Sequence, residues 1–232
     1  MSSRYEDGRY AAANPSWHEE DSPWKAARIA AMLKRHALQP ATVAEVGCGA
    51  GGVLQALSAG WGPSVRCSGF EVSPDAFARC QGKAAPPQLQ FHLADLLADD
   101  QAHFDLLLAI DVFEHVDDYL GFLRRLRGKG RHTVFHIPLD LSAQTVLRGT
   151  PLLTARHTVG HLHHFTQQTA LATLRDAGYE VLDQRYTAGA LDLPARHWKA
   201  ALMKLPRRLL FALAPDLTVR ALGGWSLLVL AR

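Results

Sequence analysis

Residues 45–54 read "EVGCGAGGVL". The run before them, Thr42–Val46, has the apolar character of a short strand, and Val53–Ala59 after them has helical spacing. A strand, a glycine turn and a helix in that order expose backbone amides at a helix N-terminus, where glycine lets a ligand come close. Two patterns fit the glycines. Gly47, Gly49 and Gly52 match the G-x-G-x-x-G of a dinucleotide-binding turn. Glu45, Gly47, Gly49 and Gly51 match a different one, an acid two places before G-x-G-x-G. The glycines alone do not choose between them.

Outward from this turn, strand and helix signals alternate. Ser22 is placed to cap a helix with Pro23 in its first turn and Ala26, Ile29, Ala30 and Leu33 on one face. After the turn come a strand at about 65–71, a helix capped by Ser73, and a strand marked by Leu89, Phe91 and Leu93. "FDLLLAID" is continuously apolar, as a strand covered on both faces should be. An amphipathic helix "VDDYLGFLRRLR" follows, then the strand "HTVFHIP". A helix from Thr166 to Gly178 precedes the strand "YEVLDQRYT", and "GWSLLVLA" is the last strand. Such alternation implies a largely parallel sheet with helices on both faces.

The chain has 232 residues, a formal charge of +3 and 48% hydrophobic residues, enough for one core of ordinary size. No repeat or linker divides it, so a single domain is expected. Its parts would be 1–38 as an N-terminal lid and helix, 39–186 as the cofactor core, 187–223 as a helical insertion and 224–232 as the last strand. The opening "MSSRYEDGRY" has no apolar stretch, so no signal peptide is expected. No apolar run approaches the roughly 18 residues of a membrane span. Cys48, Cys67 and Cys80 lack C-x-x-C spacing, which argues against a zinc or disulfide framework and fits a cytoplasmic protein.

Glu71 ends the second strand about 20 residues after the turn, where a carboxylate can accept from ribose hydroxyls. A nucleoside cofactor is therefore expected, either a nicotinamide dinucleotide or S-adenosylmethionine. Glu45 sits where a dinucleotide fold has an apolar residue. About 40 residues precede the first strand, whereas the simplest nicotinamide domains begin with it. Asp95 ends the third strand and "AIDVFEHV" closes the fourth. These features favour the second cofactor over the NAD(P)-dependent oxidoreductase alternative.

Together "EVGCGAGG", "FEVSPDAF", "HLADL", "LLAIDVFEHVDDYLGFLRRL" and "HLHHFTQQTALATLRDAGYEV" resemble successive motifs of the class I S-adenosylmethionine-dependent methyltransferases. The likeness is to the small-molecule group that includes quinone-biosynthesis and natural-product enzymes. It implies a Rossmann-like, doubly wound seven-stranded α/β sheet in order 3-2-1-4-5-7-6, with strand 7 antiparallel. It also implies roles. Glu45 and the turn Gly47, Cys48, Gly49 and Gly51 would hold the methionine end. Glu71 and Val72 would hold the ribose, Asp95 and Leu96 the adenine edge, and Ile110 and Asp111 would lie beside the sulfonium. A cofactor-binding relative without turnover is a further alternative, against which the intact turn and Glu71 speak.

Methyl transfer from a sulfonium is an in-line displacement, so alignment is the protein's main task, worth roughly 7–11 kcal/mol at best. A base is needed only where the acceptor arrives protonated. His115 follows strand 4 and is a candidate for that task. In the resembling group the stretch after strand 5 rims the acceptor, which makes His161 and His164 further candidates. The spacing of His157, His161, His163 and His164 is loose for metal ligands. The supporting Asp-Asn pair of metal-dependent catechol-type relatives is absent, so no metal is expected.

In "NPSWHEEDSPWKA", Trp17, Trp24 and Lys25 are candidates for a lid, Lys25 pairing with the cofactor's carboxylate, and Tyr5 and Tyr10 would join them. The segment 193–224 mixes Arg196, Lys199, Lys204, Arg207 and Arg208 with Trp198, Leu202, Leu205, Leu209, Leu210 and Phe211. Pro206 is expected to separate two short helices there. The segment reads as a sheet-edge cover with a solvated basic face, an acceptor cap, a peripheral membrane contact or a dimer surface. The [ND]-P-P-[YF] element of amino-group methylases is missing after strand 4, and no nucleic-acid partner is expected. The expected activity is methylation of a small-molecule acceptor, O- rather than N-, in secondary-metabolite, lipid, quinone or sugar biosynthesis. The product would be S-adenosylhomocysteine, and the protein a monomer or homodimer.

Overall fold

The two faces of one sheet sort the apolar residues of its central strands. The computed structural model describes residues 14, 16–17, 19–81, 83, 88–194 and 198–232. Tyr5, Tyr10, Arg196 and the side chain of Lys199 lie outside that description. In chain order the elements are α1 (Ser22–Arg35), β1 (Thr42–Val46), α2 (Gly52–Gly60), β2 (Arg66–Glu71), α3 (Pro74–Gln81), β3 (Leu89–Leu93) and β4 (Phe104–Ile110). They continue with α4 (Tyr119–Arg127), β5 (Gly130–Pro138), α5 (Ala143–Arg148), α6 (Thr150–Thr158), α7 (Gln167–Asp176), β6 (Val181–Thr187), α8 (Gly189–Asp192), α9 (Trp198–Leu213), α10 (Pro215–Leu222) and β7 (Ser226–Ala231). The strands order as β3-β2-β1-β4-β5-β7-β6, with β7 antiparallel to both its neighbours.

Side chains alternate across a strand, so each central strand feeds two cores. Ala44, Val46, Leu107, Ala109, Phe135, Ile137, Leu227 and Val229 meet Phe122, Leu123 and Leu126 of α4 and Ala170, Leu171 and Leu174 of α7. Val43, Leu106, Leu108, Ile110, Val134, Leu228 and Leu230 meet Ala26, Ile29, Met32 and Leu33 of α1 and Val53, Leu54 and Leu57 of α2. Each fully buried Leu or Ile stabilises by about 1.5–3 kcal/mol. The continuous run 106–109 is therefore a strand wanted by both cores. The strand order and the antiparallel last strand agree with the expectation.

Several local expectations give way. Ser22 opens α1 rather than capping it; Asp21 is the cap residue, without a side-chain bond. Ser22 instead packs where a β-carbon on Gly52 would lie 2.5 Å from its Oγ. The buried Ser73 Oγ makes no hydrogen bond among the described residues, so it does not cap α3. Thr166 does cap α7, in a reciprocal capping box with Thr169. Helices α5 and α6 have no buried residue, hence no apolar period to read. Pro206 lies inside the single helix α9, and the break falls instead at Ala214, before Pro215. The face expected to carry solvated charge is reversed in part. Lys204, Arg207 and Arg208 donate to the carbonyls of Leu193, Gly223 and Leu191. Trp198, Leu202, Leu205, Leu209 and Leu213 are exposed. Among the described residues, no helix is long and apolar enough to cross a membrane.

Candidate active site

At the carboxyl ends of β1, β2, β4 and β5 the sheet opens into a cavity of about 950 Å³. Open α/β sheets place ligands at such an edge. Gly47, Cys48, Gly49, Ala50 and Gly52 line one end, with Glu45, Glu71 and Val72. Ile110, Asp111 and His136 lie beside Lys25 and Trp24 of α1, while His115, Asp140 and His161 line the other end. Trp17 and Glu19–Ser22 border the cavity from the N-terminal side, as a lid would, and Gly189, Ala190, Leu193 and Pro194 from the segment after β6.

Glycine is required in the turn for distinct reasons. Gly47, Gly49 and Gly51 have φ of 62°, 56° and 76°, which L side chains rarely adopt. A β-carbon on Gly51 would sit 2.6 Å from the Phe91 ring, so Gly51 is the residue that allows close packing on the sheet. At Gly52, the last glycine of the dinucleotide pattern, such a carbon would instead meet Ser22 of α1. At Gly49 the nearest atom to such a carbon is 4.0 Å away, on Trp17, so this part of the backbone faces open space.

Glu71 is the keystone of this end. One carboxyl oxygen accepts from Gly49 N at 2.8 Å, and the other accepts from Val72 N and Ser73 N at 2.8 Å each. Burial pushes its pKa up, and the three amides offset part of that. Glu45 is 2% exposed, and its Oε2 has no hydrogen-bond partner among the described residues. Burial pushes this carboxyl up to about 8, although Lys25 and the Leu54 amide act the other way.

The middle of the cavity holds a buried polar chain absent from the sequence reading. Lys25 Nζ donates to Asp111 Oδ2 at 2.7 Å, and Asp111 Oδ1 lies 2.6 Å from His136 Nδ1. His136 Nε2 meets Thr187 Oγ1 at 2.9 Å, and that hydroxyl donates to Ser226 O at 3.3 Å. Burial would raise the Asp111 pKa, but His136 and Lys25 hold it well below the usual carboxylate range. Burial would lower that of Lys25, but Asp111 holds it up. Lys25 thus has a protein partner already, where the sequence reading paired it with a cofactor carboxylate. Asp111 itself has φ 55°, a conformation uncommon outside glycine.

At the far end, His115 Nδ1 lies 3.1 Å from Gly160 O, and His161 Nδ1 lies 2.5 Å from Asp140 Oδ2. His164 Nδ1 is 3.3 Å from the same oxygen. Burial, then the neighbouring His161, depresses His115 to about 4, so it is neutral at physiological pH. Burial would raise the Asp140 pKa, but His161 and His164 lower it. Glu114 is completely enclosed. His163 and His157 fall apart from this group. His163 Nε2 lies 3.0 Å from Val116 O, and His157 is an exposed residue on α6. Asp95 and Leu96 are outside the cavity lining: exposed Asp95 accepts from Leu97 N, and Leu96 is in the core. Sequence reasoning missed His136, Thr187 and the pairing of Asp140 with His161. Its available signals were a lone histidine inside an apolar strand and an acid ending β5.

This strand order, with a glycine turn after β1 and carboxylates ending β1 and β2, defines the class I S-adenosylmethionine-dependent methyltransferases. The chain belongs to the methyltransferase-domain family, whose pattern matches residues 16–184. It is similar to norajmaline N-methyltransferase of Rauvolfia serpentina, 30% identical over 108 residues, 44% of this chain and 36% of that enzyme. It is also similar to the ubiquinone biosynthesis O-methyltransferase of Xylella fastidiosa strain 9a5c, 31% identical over 121 residues, 47% of this chain and 48% of that one. The matches thus span between about a third and a half of the length of these curated relatives. In fold it resembles the magnesium protoporphyrin IX methyltransferase of Synechocystis PCC 6803 with bound SAH. There the TM-score is 0.60 at 16% identity, covering 90% of this chain and 82% of that one. The plantazolicin methyltransferase structure in complex with SAH gives 0.62 at 13% identity, covering 99% and 91%.

S-adenosylmethionine is the cofactor of this family, and the residues present fit it. An unpartnered buried carboxyl oxygen on Glu45 suits an ammonium group. The open side of Gly49 leaves room for close approach, and Glu71 Oε2 accepts from Gly49 N alone among the described residues, so a lone pair remains for a hydroxyl.

Proposed function

We propose that this protein methylates a hydroxyl oxygen of a small-molecule acceptor, with the activated methyl group supplied by S-adenosylmethionine. The observation that carries the choice of oxygen is the wall of His115, His161 and Asp140 at the end of the cavity away from the glycine turn. An amine can arrive with a lone pair, whereas a hydroxyl benefits from groups that take up or stabilise its proton. Glu45, Gly47, Cys48 and Gly49 are assigned to the amino-acid end of the cofactor and Glu71 and Val72 to the ribose; exposed Asp95 is kept for the adenine edge, whereas Leu96, enclosed in the core, is not. Ile110 and Asp111 lie by the reacting centre. Lys25 holds Asp111 and joins α1 to that wall. His164 acts on the acceptor side through Asp140. The chain is read as one unit, in which residues 189–194 roof the acceptor. Secondary metabolites, lipids, quinones and sugars all offer suitable hydroxyls.

The test is His161→Ala. The expected result is turnover lower by about 10²- to 10⁴-fold, with S-adenosylhomocysteine affinity within about twofold of the parent. Matched hydroxyl and amine acceptors give the other arm. Equal loss of affinity and turnover, or amine acceptors methylated as fast as hydroxyls, would overturn the assignment.

A further inference from the structure

The acceptor wall holds a carboxyl that hydrogen bonding does not explain. Glu114 lies on the 3-10 turn Phe113–His115 after β4, is 0% exposed, and neither side-chain oxygen meets a donor among the described residues. Leaving such a group buried and unsatisfied costs on the order of a few kcal/mol. His115 Nε2 stands 3.9 Å from Glu114 Oε1. His161 completes a group in which one ligand atom from each residue falls within 4.8 Å of the others.

The ring orientations are those of metal-bound histidines. A carbonyl oxygen can only accept, so His115 Nδ1 is the protonated nitrogen facing Gly160 O. Asp140 is held ionised, so His161 Nδ1–H donates to its carboxylate. In each ring Nε2 is then the nitrogen left for a metal ion, and each ring is fixed by an oxygen behind it, as metal-ligating histidines almost always are.

We propose that Glu114, His115 and His161 bind one divalent transition-metal ion of the zinc class, with Gly160 and Asp140 orienting the two rings. Distances choose this set over the overlapping one, Asp140 with His161 and His164, which also falls within 4.8 Å. Ligands about 2.0–2.1 Å from a tetrahedral ion stand about 3.3 Å apart. Asp140 and His161, at 2.5 Å, are too close for that and well placed for a charged hydrogen bond. The 3.9 Å between Glu114 and His115 closes to the tetrahedral edge by a small side-chain rotation. Two imidazoles and one carboxylate with a remaining position form a catalytic zinc set, whereas magnesium prefers an all-oxygen shell. His115 and His161 both line the cavity, so that position faces it. The expectation of no metal weighed the histidine spacing within residues 157–164 and the missing Asp-Asn pair, whereas two of these ligands lie on the turn Phe113–His115 after β4.

The site stands apart from the proposed reaction; only its use rests on that reading. An acceptor hydroxyl in the open position would be held as its oxyanion, its proton released to solvent.

The experiment uses tag-free full-length protein stripped with EDTA and titrated with Zn²⁺ by calorimetry and with Co²⁺ by visible absorption. One ion per chain is expected at micromolar or tighter affinity, with the intense bands of a low-coordinate cobalt site. Glu114→Gln keeps the shape of the side chain and is expected to abolish those bands. Asp140→Asn is expected to weaken binding by about 10- to 100-fold, and it carries the test should a ligand variant fold poorly. His157→Ala, on the exposed face of α6, is expected to change nothing. No binding at micromolar metal, or binding unaltered in Glu114→Gln and Asp140→Asn, overturns the proposal. S-adenosylhomocysteine titration of the same samples scores the cofactor reading separately.

Discussion

At the glycine-turn end of the cavity, Glu45, Gly47, Cys48, Gly49, Glu71 and Val72 come from the ends of two adjacent, hydrogen-bonded strands. At the other end, His115, Asp140 and His161, with Glu114 buried behind them, come from the turn after β4, the end of β5 and the loop that follows α6. The first end is held by backbone amides converging on one carboxylate. The second is held by side chains that orient one another. A site built from backbone repeats whatever its neighbours are, so one chemistry is kept. A site built from side chains can be refitted to new acceptors one residue at a time, as loops on rigid scaffolds generally are.

The largest test of this contrast is Glu71→Ala. Three amides lose a shared charged acceptor, and bonds to charged groups contribute about 1.5–3 kcal/mol each. Chemical denaturation is expected to show a loss of at least about 3 kcal/mol, with S-adenosylhomocysteine affinity falling alongside. Hydrogen exchange at residues 160–164 should stay as in the parent. A loss below about 1 kcal/mol would break the claim that this carboxylate organises the turn.

Glu45→Gln is the next in size, and its sign depends on pH. The folded-state pKa of about 8 lies above the ordinary carboxyl value of 4.5. Between those values the unfolded chain has lost a proton that the folded chain keeps. Stability from this group is therefore full below pH 4.5 and lost as pH rises through about 8. The Gln variant carries no such dependence. Its melting temperature is expected to match the parent near pH 4.5 and exceed it increasingly toward pH 8–9, while its cofactor affinity is lower. A constant difference across that range would remove Glu45 as the titrating group. The smallest effect is expected from Asp95→Ala, which deletes a cap bond to Leu97 N worth about 1 kcal/mol. Weaker binding of adenosine in the same variant would support the adenine-edge assignment, and unchanged binding would confine Asp95 to capping.

The legible parts share a physical reason. Thr42–Val46 was read to the residue because a strand buried on both faces ends abruptly at glycines with positive φ. Glu71 announced itself as an acid at the end of a strand. What was hidden depended on contact across the fold. His136 looks like any residue of an apolar strand until Asp111 and Thr187 arrive on either side. Within "AIDVFEHV", Glu114 gives no sign of being enclosed until the loop after α6 folds over it, with Leu162 N and His163 N bonding its carbonyl. Pro206 reads as a helix break. It is tolerated because it removes only its own amide, while Lys204 and Arg207 tie the flanking turns to neighbouring carbonyls.

The chain Lys25–Asp111–His136–Thr187–Ser226 also bears on how the molecule folds. Its links join residues 86, 25, 51 and 39 positions apart in sequence. Each link requires elements already seated: α1 on β4, β4 beside β5, and β6 and β7 closed at the sheet's far edge. Loop-closure entropy must be met before such contacts return anything. This network therefore closes late, after the apolar layers have set the register, and acts as a lock on the finished sheet rather than a nucleus for it. Substitutions along it are expected to speed unfolding far more than they slow folding, the signature of contacts absent from the transition state.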